Sequence, residues 1–141
     1  MTLTRFQKIS LGLAGITALA IGLFILIAPQ AFYDSYGIAV GSDPSMLSEL
    51  RAPGAGIATL GAIMLAGLFR PAMAQLSFVA ALTVYLAFPV GRLVSLVVDG
   101  MPSGSVLGAL VIEVVIAGLC LAALRQNKIG GAQQYSAIGL I

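Results

Sequence analysis

Four long apolar stretches leave this chain little choice of fold. They cover residues 10–28, 50–69, 72–98 and 105–124, which is 19, 20, 27 and 20 residues. At 1.5 Å per residue, each is long enough as a helix to cross a hydrocarbon core of about 30 Å. Only helices and closed barrels hide every backbone polar group from lipid, and the alternating pattern of a barrel strand is absent. A water-soluble alternative fails on surface: charged residues make up 9% of the 141 and hydrophobic residues 60%, where a soluble domain carries about a quarter charged. The expectation is a single transmembrane domain over residues 1–141, all-α and polytopic, folded as a four-transmembrane-helix bundle. The first stretch follows Arg5 and Lys8 like a signal-peptide core. It is too long for one and no A-x-A site follows it, so it is read as a retained helix.

Basic residues set the expected orientation. With four crossings, Arg5, Lys8, Arg70, Arg125 and Lys128 all fall on one side. The positive-inside rule makes that side cytoplasmic, with both termini on it, in a bacterial inner membrane. The opposite side holds residues 29–49 and 99–104. There Phe32, Tyr33 and Tyr36 look like an interfacial aromatic belt. Asp43 is placed to cap a helix opened by Pro44. Pro53 then interrupts it, so a kink is expected, or a short interfacial helix over 44–51 and a short crossing after it. Small residues recur at helical spacing, Ala14, Ala18 and Gly22 in the first stretch and Ala58, Ala62 and Ala66 beside Gly54 and Gly61 in the second. Such faces allow close packing in lipid. The apolar end, residues 135–141, is expected to lie against a partner subunit or a lipid interface.

Much chemistry is excluded by count. There is no histidine, which removes the commonest general base and metal ligand. Cys120 is the only cysteine, so an intrachain disulfide or a Cys-based metal site cannot form, and in its apolar run it reads as a packing residue. No phosphate-binding glycine loop, serine-hydrolase elbow or basic-aromatic stripe for nucleic acid is present. No catalytic residue, metal or cofactor is expected.

The charges that remain are the informative ones. Asp34, Asp43, Glu49, Arg51, Arg92, Asp99 and Glu113 sum to −3, against +5 on the basic side. Glu113 stands eight residues inside the fourth stretch, about 12 Å deep. An unpaired ionised acid there costs a few kcal/mol. Arg92 stands six residues inside the end of the third stretch, about 9 Å deep, so an Arg92–Glu113 pair would satisfy both. Tyr85, Phe88, Arg92, Ser95 and Asp99 share one helical face, which offers Asp99 as a second partner. Glu49 and Arg51 flank a proline-glycine break, and Pro89-Val90-Gly91-Arg92 suggests another. Broken helices beside buried charges are a recurring way to build polar sites in membranes. The expected polar cluster, and the place to look for a ligand, is Glu49, Arg51, Tyr85, Arg92, Ser95, Asp99 and Glu113. A structural ion network that fixes helix register fits the same residues.

These residues also carry a likeness. Glu49-Leu50-Arg51-Ala52, then Gly91-Arg92-x-x-Ser95-x-x-x-Asp99-Gly100-x-Pro102, then Glu113 in the last stretch, resemble an uncharacterised bacterial family of four-helix integral membrane proteins catalogued as a domain of unknown function. The family's tandem glycine stands here as Gly54-Ala55-Gly56. The resemblance covers most of the chain and implies a four-helix membrane fold with Glu49, Arg51, Arg92, Asp99 and Glu113 as its polar signature. It implies no reaction.

Three functions are consistent with these features. The first is an accessory or structural subunit of a larger membrane complex, such as a respiratory or photosynthetic one. The second is an oligomeric small transporter or channel using Glu113 and Arg92. The third is a lipid- or small-anion-binding membrane protein. The expected partners are the bilayer and other membrane subunits or further copies of the chain, not nucleic acid.

Overall fold

The computed structural model describes residues 3–138, with side chains described as far as Arg125. Five α-helices follow one another: α1 Arg5–Ile27, α2 Pro29–Asp34, α3 Pro44–Phe69, α4 Ala74–Val98 and α5 Gly104–Ile138, with a single 3-10 turn at Pro71–Met73. Among the described residues there is no strand. Four of the helices are long and apolar enough to cross a membrane, α4 together with its 3-10 turn, and α5 over Gly104–Arg125. The short connections make successive long helices antiparallel, and α1, α3, α4 and α5 form a ring in which α1 packs most extensively on α3. The end built from residues 28–43 and 99–103 is termed distal below. The end with Thr4 and the turn at 70–73 is termed proximal. The apolar end 135–141, expected to lie against a partner or lipid, falls outside the described side chains.

Local sequence explains the helix boundaries. Thr4 closes a capping box with Gln7: the Thr4 hydroxyl accepts from Gln7 N at 3.2 Å and the Gln7 amide oxygen accepts from Thr4 N at 3.0 Å. Asp43 caps α3 as expected, accepting from Met46 N at 2.8 Å, with Pro44 at the first helical position. The aromatic segment after α1 is the short helix α2, closed by Gly37 at φ +76°, a conformation only glycine adopts without strain.

Two expectations are corrected here. Pro53 does not divide a 44–51 helix from a short crossing, because α3 runs unbroken through it. Pro89 likewise lies inside a continuous α4. A proline removes one N–H from the ladder, and the turns on either side can hold the helix when neighbours pack against it. At Pro53 the bereft carbonyl belongs to Glu49, which is exposed and one turn from the helix start, where water can satisfy it.

The seam between α1 and α3 is made by small residues, but not by all those expected. A Cβ on Gly22 would stand 2.3 Å from the Ala58 nitrogen, and one on Gly61 would stand 2.5 Å from the Leu19 nitrogen. The α3 side of the seam is Gly54, Ala58 and Gly61, while Ala62 is exposed and Ala66 only half-buried. A strict four-residue repeat turns about 40° further round the helix at each step, so it leaves the seam. Alternating steps of four and three stay on it.

Buried polar side chains, Gln7, Ser10 and Ser77, fasten the proximal end. The Gln7 amide donates to the Ala123 carbonyl at 2.9 Å and ties α1 to α5. The Ser77 hydroxyl donates to the Ile63 carbonyl at 2.7 Å and ties α4 to α3. The perimeter is aliphatic, with Val90 60% and Val97 87% exposed, as lipid-facing positions on a membrane bundle must be.

Candidate functional site

Antiparallel packing of α4 and α5 brings Arg92 and Glu113 to the same depth. The two helices join through residues 99–103, and positions seven residues before that turn and ten after it lie within one helical turn in height. Arg92 Nε donates to Glu113 Oε2 at 2.9 Å and Arg92 Nη2 donates to Oε1 at 2.8 Å. The side chains are 26% and 14% exposed. Two parallel charge-assisted bonds make this a strong polar contact and cancel both charges locally. Arg92 keeps its Nη1 group and one Nη2 hydrogen without a protein acceptor among the described residues. Glu113 shares its face of α5 with Ala109, Ala117 and Cys120, small side chains that let α5 approach its neighbours.

Of the other expected members, Tyr85 and Ser95 line the same cavity as the pair, whereas Asp99, Arg51 and Glu49 do not. Asp99 is not a second partner for Arg92: the Ser95 hydroxyl donates to Asp99 Oδ2 at 2.8 Å, one turn apart on α4, and both residues are exposed at the distal rim. Tyr85 is buried, and its hydroxyl donates to the Ala14 carbonyl at 2.8 Å, tying α4 to α1. Arg51 does not join the pair at all. Its Nη1 donates to the carbonyls of Leu26 and of Ile27, capping the C-terminal end of α1. The reason is rotational: Arg51 lies three and seven residues before Gly54 and Ala58, on the face that meets α1. Glu49 is two residues further back, about 200° round the helix, and is exposed.

The paired side chains form part of the wall of a cavity of about 580 Å³ in the distal half of the bundle, between α1, α4 and α5. Its walls are mostly apolar, from Ala18, Ile21 and Ile25 of α1, Val84 and Phe88 of α4, and Ile112 of α5. Phe32, Tyr33 and Tyr36 cover the distal side. Phe32 anchors this cover, with edge-on or tilted ring contacts to Phe24, Tyr33 and Tyr36 at centroid distances of 5.5, 5.2 and 5.1 Å. The Ser103 hydroxyl donates to the Tyr36 carbonyl at 3.0 Å and joins the two distal connections. Burial pushes the Tyr33 phenol above its ordinary pKa, and the positive charge of Arg92 partly opposes that rise.

Sequence reading missed the α1 wall and the cover. Ala18 was legible as a packing residue, and Tyr33 and Tyr36 as interfacial aromatics. Nothing in their spacing says that they face the Arg92–Glu113 pair. Among the described residues, no three His, Cys, Asp or Glu side chains converge as metal ligands would.

Fold and site together define a multi-pass membrane protein: a four-helix bundle with a bidentate ion pair set in the wall of an apolar distal cavity. Residues 6–124 match the family model described as Domain of unknown function (DUF4345), and the chain belongs to that family. Neither the curated proteins nor the solved structures yield a match.

Proposed function

We propose that this protein is a non-catalytic binding protein of the bacterial cytoplasmic membrane whose distal cavity holds a lipid-soluble amphiphile. The observation that carries the reading is the Arg92–Glu113 pair standing in the wall of an apolar cavity of about 580 Å³. That volume lies in the range of small-molecule sites, which are mostly apolar with a few placed polar groups. An intramembrane ion pair needed only for register could be enclosed between two helices, whereas this one borders space. Glu113 has both oxygens engaged, which supports binding over acid-base catalysis. The positive-inside rule places the proximal end, with Arg5, Lys8 and Arg70, in the cytoplasm, and the cavity then opens in the outer half of the membrane.

The accessory-subunit reading rests on the aliphatic perimeter, which lipid covers as well as a partner would. The transporter reading gains no support from the proximal half, where Gln7, Ser10 and Ser77 are all buried and satisfied. Native mass spectrometry of the full chain, purified in mild detergent, tests the proposal. The wild type is expected to carry a bound amphiphile that Ala109→Phe, which fills the cavity, does not. Equal retention by both, or none by either, would overturn it. Stoichiometric co-purification of other subunits with an empty cavity would favour the accessory role.

A further inference from the structure

Accepting that the cavity binds an amphiphile, we infer that the head it selects is an uncharged oxygen acceptor, an ester or ketone carbonyl, seated between Arg92 and the hydroxyls of Tyr33 and Tyr36. Three observations lead there. First, the charges of the pair cancel. Both Glu113 oxygens lie within 2.9 Å of the guanidinium, so an anionic head would meet the carboxylate as closely as the arginine, and a cationic head the reverse. In an apolar cavity an uncompensated charge is costly. Second, the polar groups left over are predominantly donors. Arg92 retains its two Nη1 hydrogens, and the Tyr33 and Tyr36 side chains line the same space. Neither phenol has a hydrogen-bond partner among the described residues. Third, these donors converge at the distal side while the rest of the wall is aliphatic and aromatic apart from Thr17 and Ser95, and the Ser95 hydroxyl is already committed to Asp99. A head at that level and a tail reaching deeper, among Ala18, Val84 and Phe88, match the polarity of the cavity along its length.

Arg51 does not alter this reading. It lies on the α1 seam with its Nη1 committed to the end of α1, and it does not line the cavity. The selection is therefore made by one guanidinium whose charge is already answered, which acts as a neutral donor. The carbonyl could belong to the glycerol esters of the surrounding bilayer or to a separate membrane-soluble compound. The chemistry recognised is the same.

Photocrosslinking of the full chain in lipid nanodiscs tests the inference. Three dodecyl probes carrying a mid-chain diazirine end in a methyl ester, a sulfonate or a trimethylammonium group. Cavity labelling is the part of the signal on α4 and α5 peptides that Ala109→Phe abolishes. The ester probe is expected to label the cavity at least about tenfold more than either charged probe. Glu113→Gln leaves the arginine charge unanswered and should raise sulfonate labelling above that of the ester. The double variant Tyr33→Phe, Tyr36→Phe alters only two hydroxyls on the cover and should lower ester labelling by about fivefold, as loss of hydrogen bonds does. Equal or stronger labelling by sulfonate in the wild type, or an unchanged preference in both variants, overturns the neutral-head inference and leaves the binding function standing. If no probe gives labelling that Ala109→Phe removes, the binding function itself fails. Nanodiscs of diether lipid separate the sources: increased ester labelling there identifies the bilayer's own esters as the occupant, and unchanged labelling a separate amphiphile.

Discussion

Neutralising either member of the Arg92–Glu113 pair should loosen α5 from α4 by about 2 kcal/mol. The figure lies between two limits. Removing one partner of a fully buried pair costs about 3–5 kcal/mol, because the other charge is left unanswered. An exposed pair is worth about 0.2–1 kcal/mol. Here the side chains are 26% and 14% exposed, with ideal two-bond geometry, so the value falls between the two ranges, raised by burial and geometry and discounted for water at the cavity rim. The protein carries its own reporter. Cys120 is the only cysteine, fully buried, and seven residues from Glu113 on the same face of α5. Its reaction with a maleimide in mild detergent requires α5 to open, so the labelling rate follows the opening equilibrium. At 1.4 kcal/mol per factor of ten, Arg92→Gln and Glu113→Gln should each speed labelling about 30-fold. The double variant should also label about 30-fold faster, not at the product of about 900-fold, because the second substitution removes a group already without its partner. Single effects below about threefold, or multiplicative effects in the double variant, would refute the assignment of the pair as a coupled, half-buried unit.

Other consequences follow from the packing and caps. Gly22→Ala and Gly61→Ala should each lower the unfolding midpoint, by an amount equivalent to about 1–3 kcal/mol, because the new methyl meets backbone atoms that cannot rotate away. Gly56→Ala, with nothing within 4 Å of its Cβ, should be neutral or stabilising by about 0.5–1 kcal/mol in the same thermal assay. Arg51→Met should cost about 1 kcal/mol and speed hydrogen exchange in the last turn of α1, with ligand retention in the distal cavity unchanged. Tyr33 gives a pH dependence. Its folded pKa is raised above 10.0, so its contribution to stability is fully present below that value and is lost as pH rises through the folded pKa. Tyr33→Phe should flatten the alkaline limb of a thermal-stability profile, and an unaltered limb would show that the phenol is not buried under the cover.

How much was legible in the sequence varies from residue to residue. The Arg92–Glu113 pair could be read because both residues are too costly to stand alone at that depth, and counting along two antiparallel helices sets their heights within a turn. Asp99 was misassigned because shared helical spacing cannot decide between a neighbour one turn away and a partner nearby in space, and the Ser95 hydroxyl is the nearer donor. Arg51 was misassigned because its rotation about α3 depends on which neighbour α3 packs against. The four crossings, the cap at Asp43 and the isolation of the charges follow from hydropathy and local backbone chemistry, which act within a few residues and so are written in the sequence. That the seam follows Gly54, Ala58 and Gly61 and leaves out Ala62 and Ala66, the role of Arg51 as a cap and the cavity under Tyr33 and Tyr36 came only with the tertiary structure. In lipid the apolar surface of a helix has little preference between a neighbour and the bilayer, so close backbone approach and a handful of hydrogen bonds decide which faces meet, and those are properties of pairs of helices rather than of any one stretch of chain.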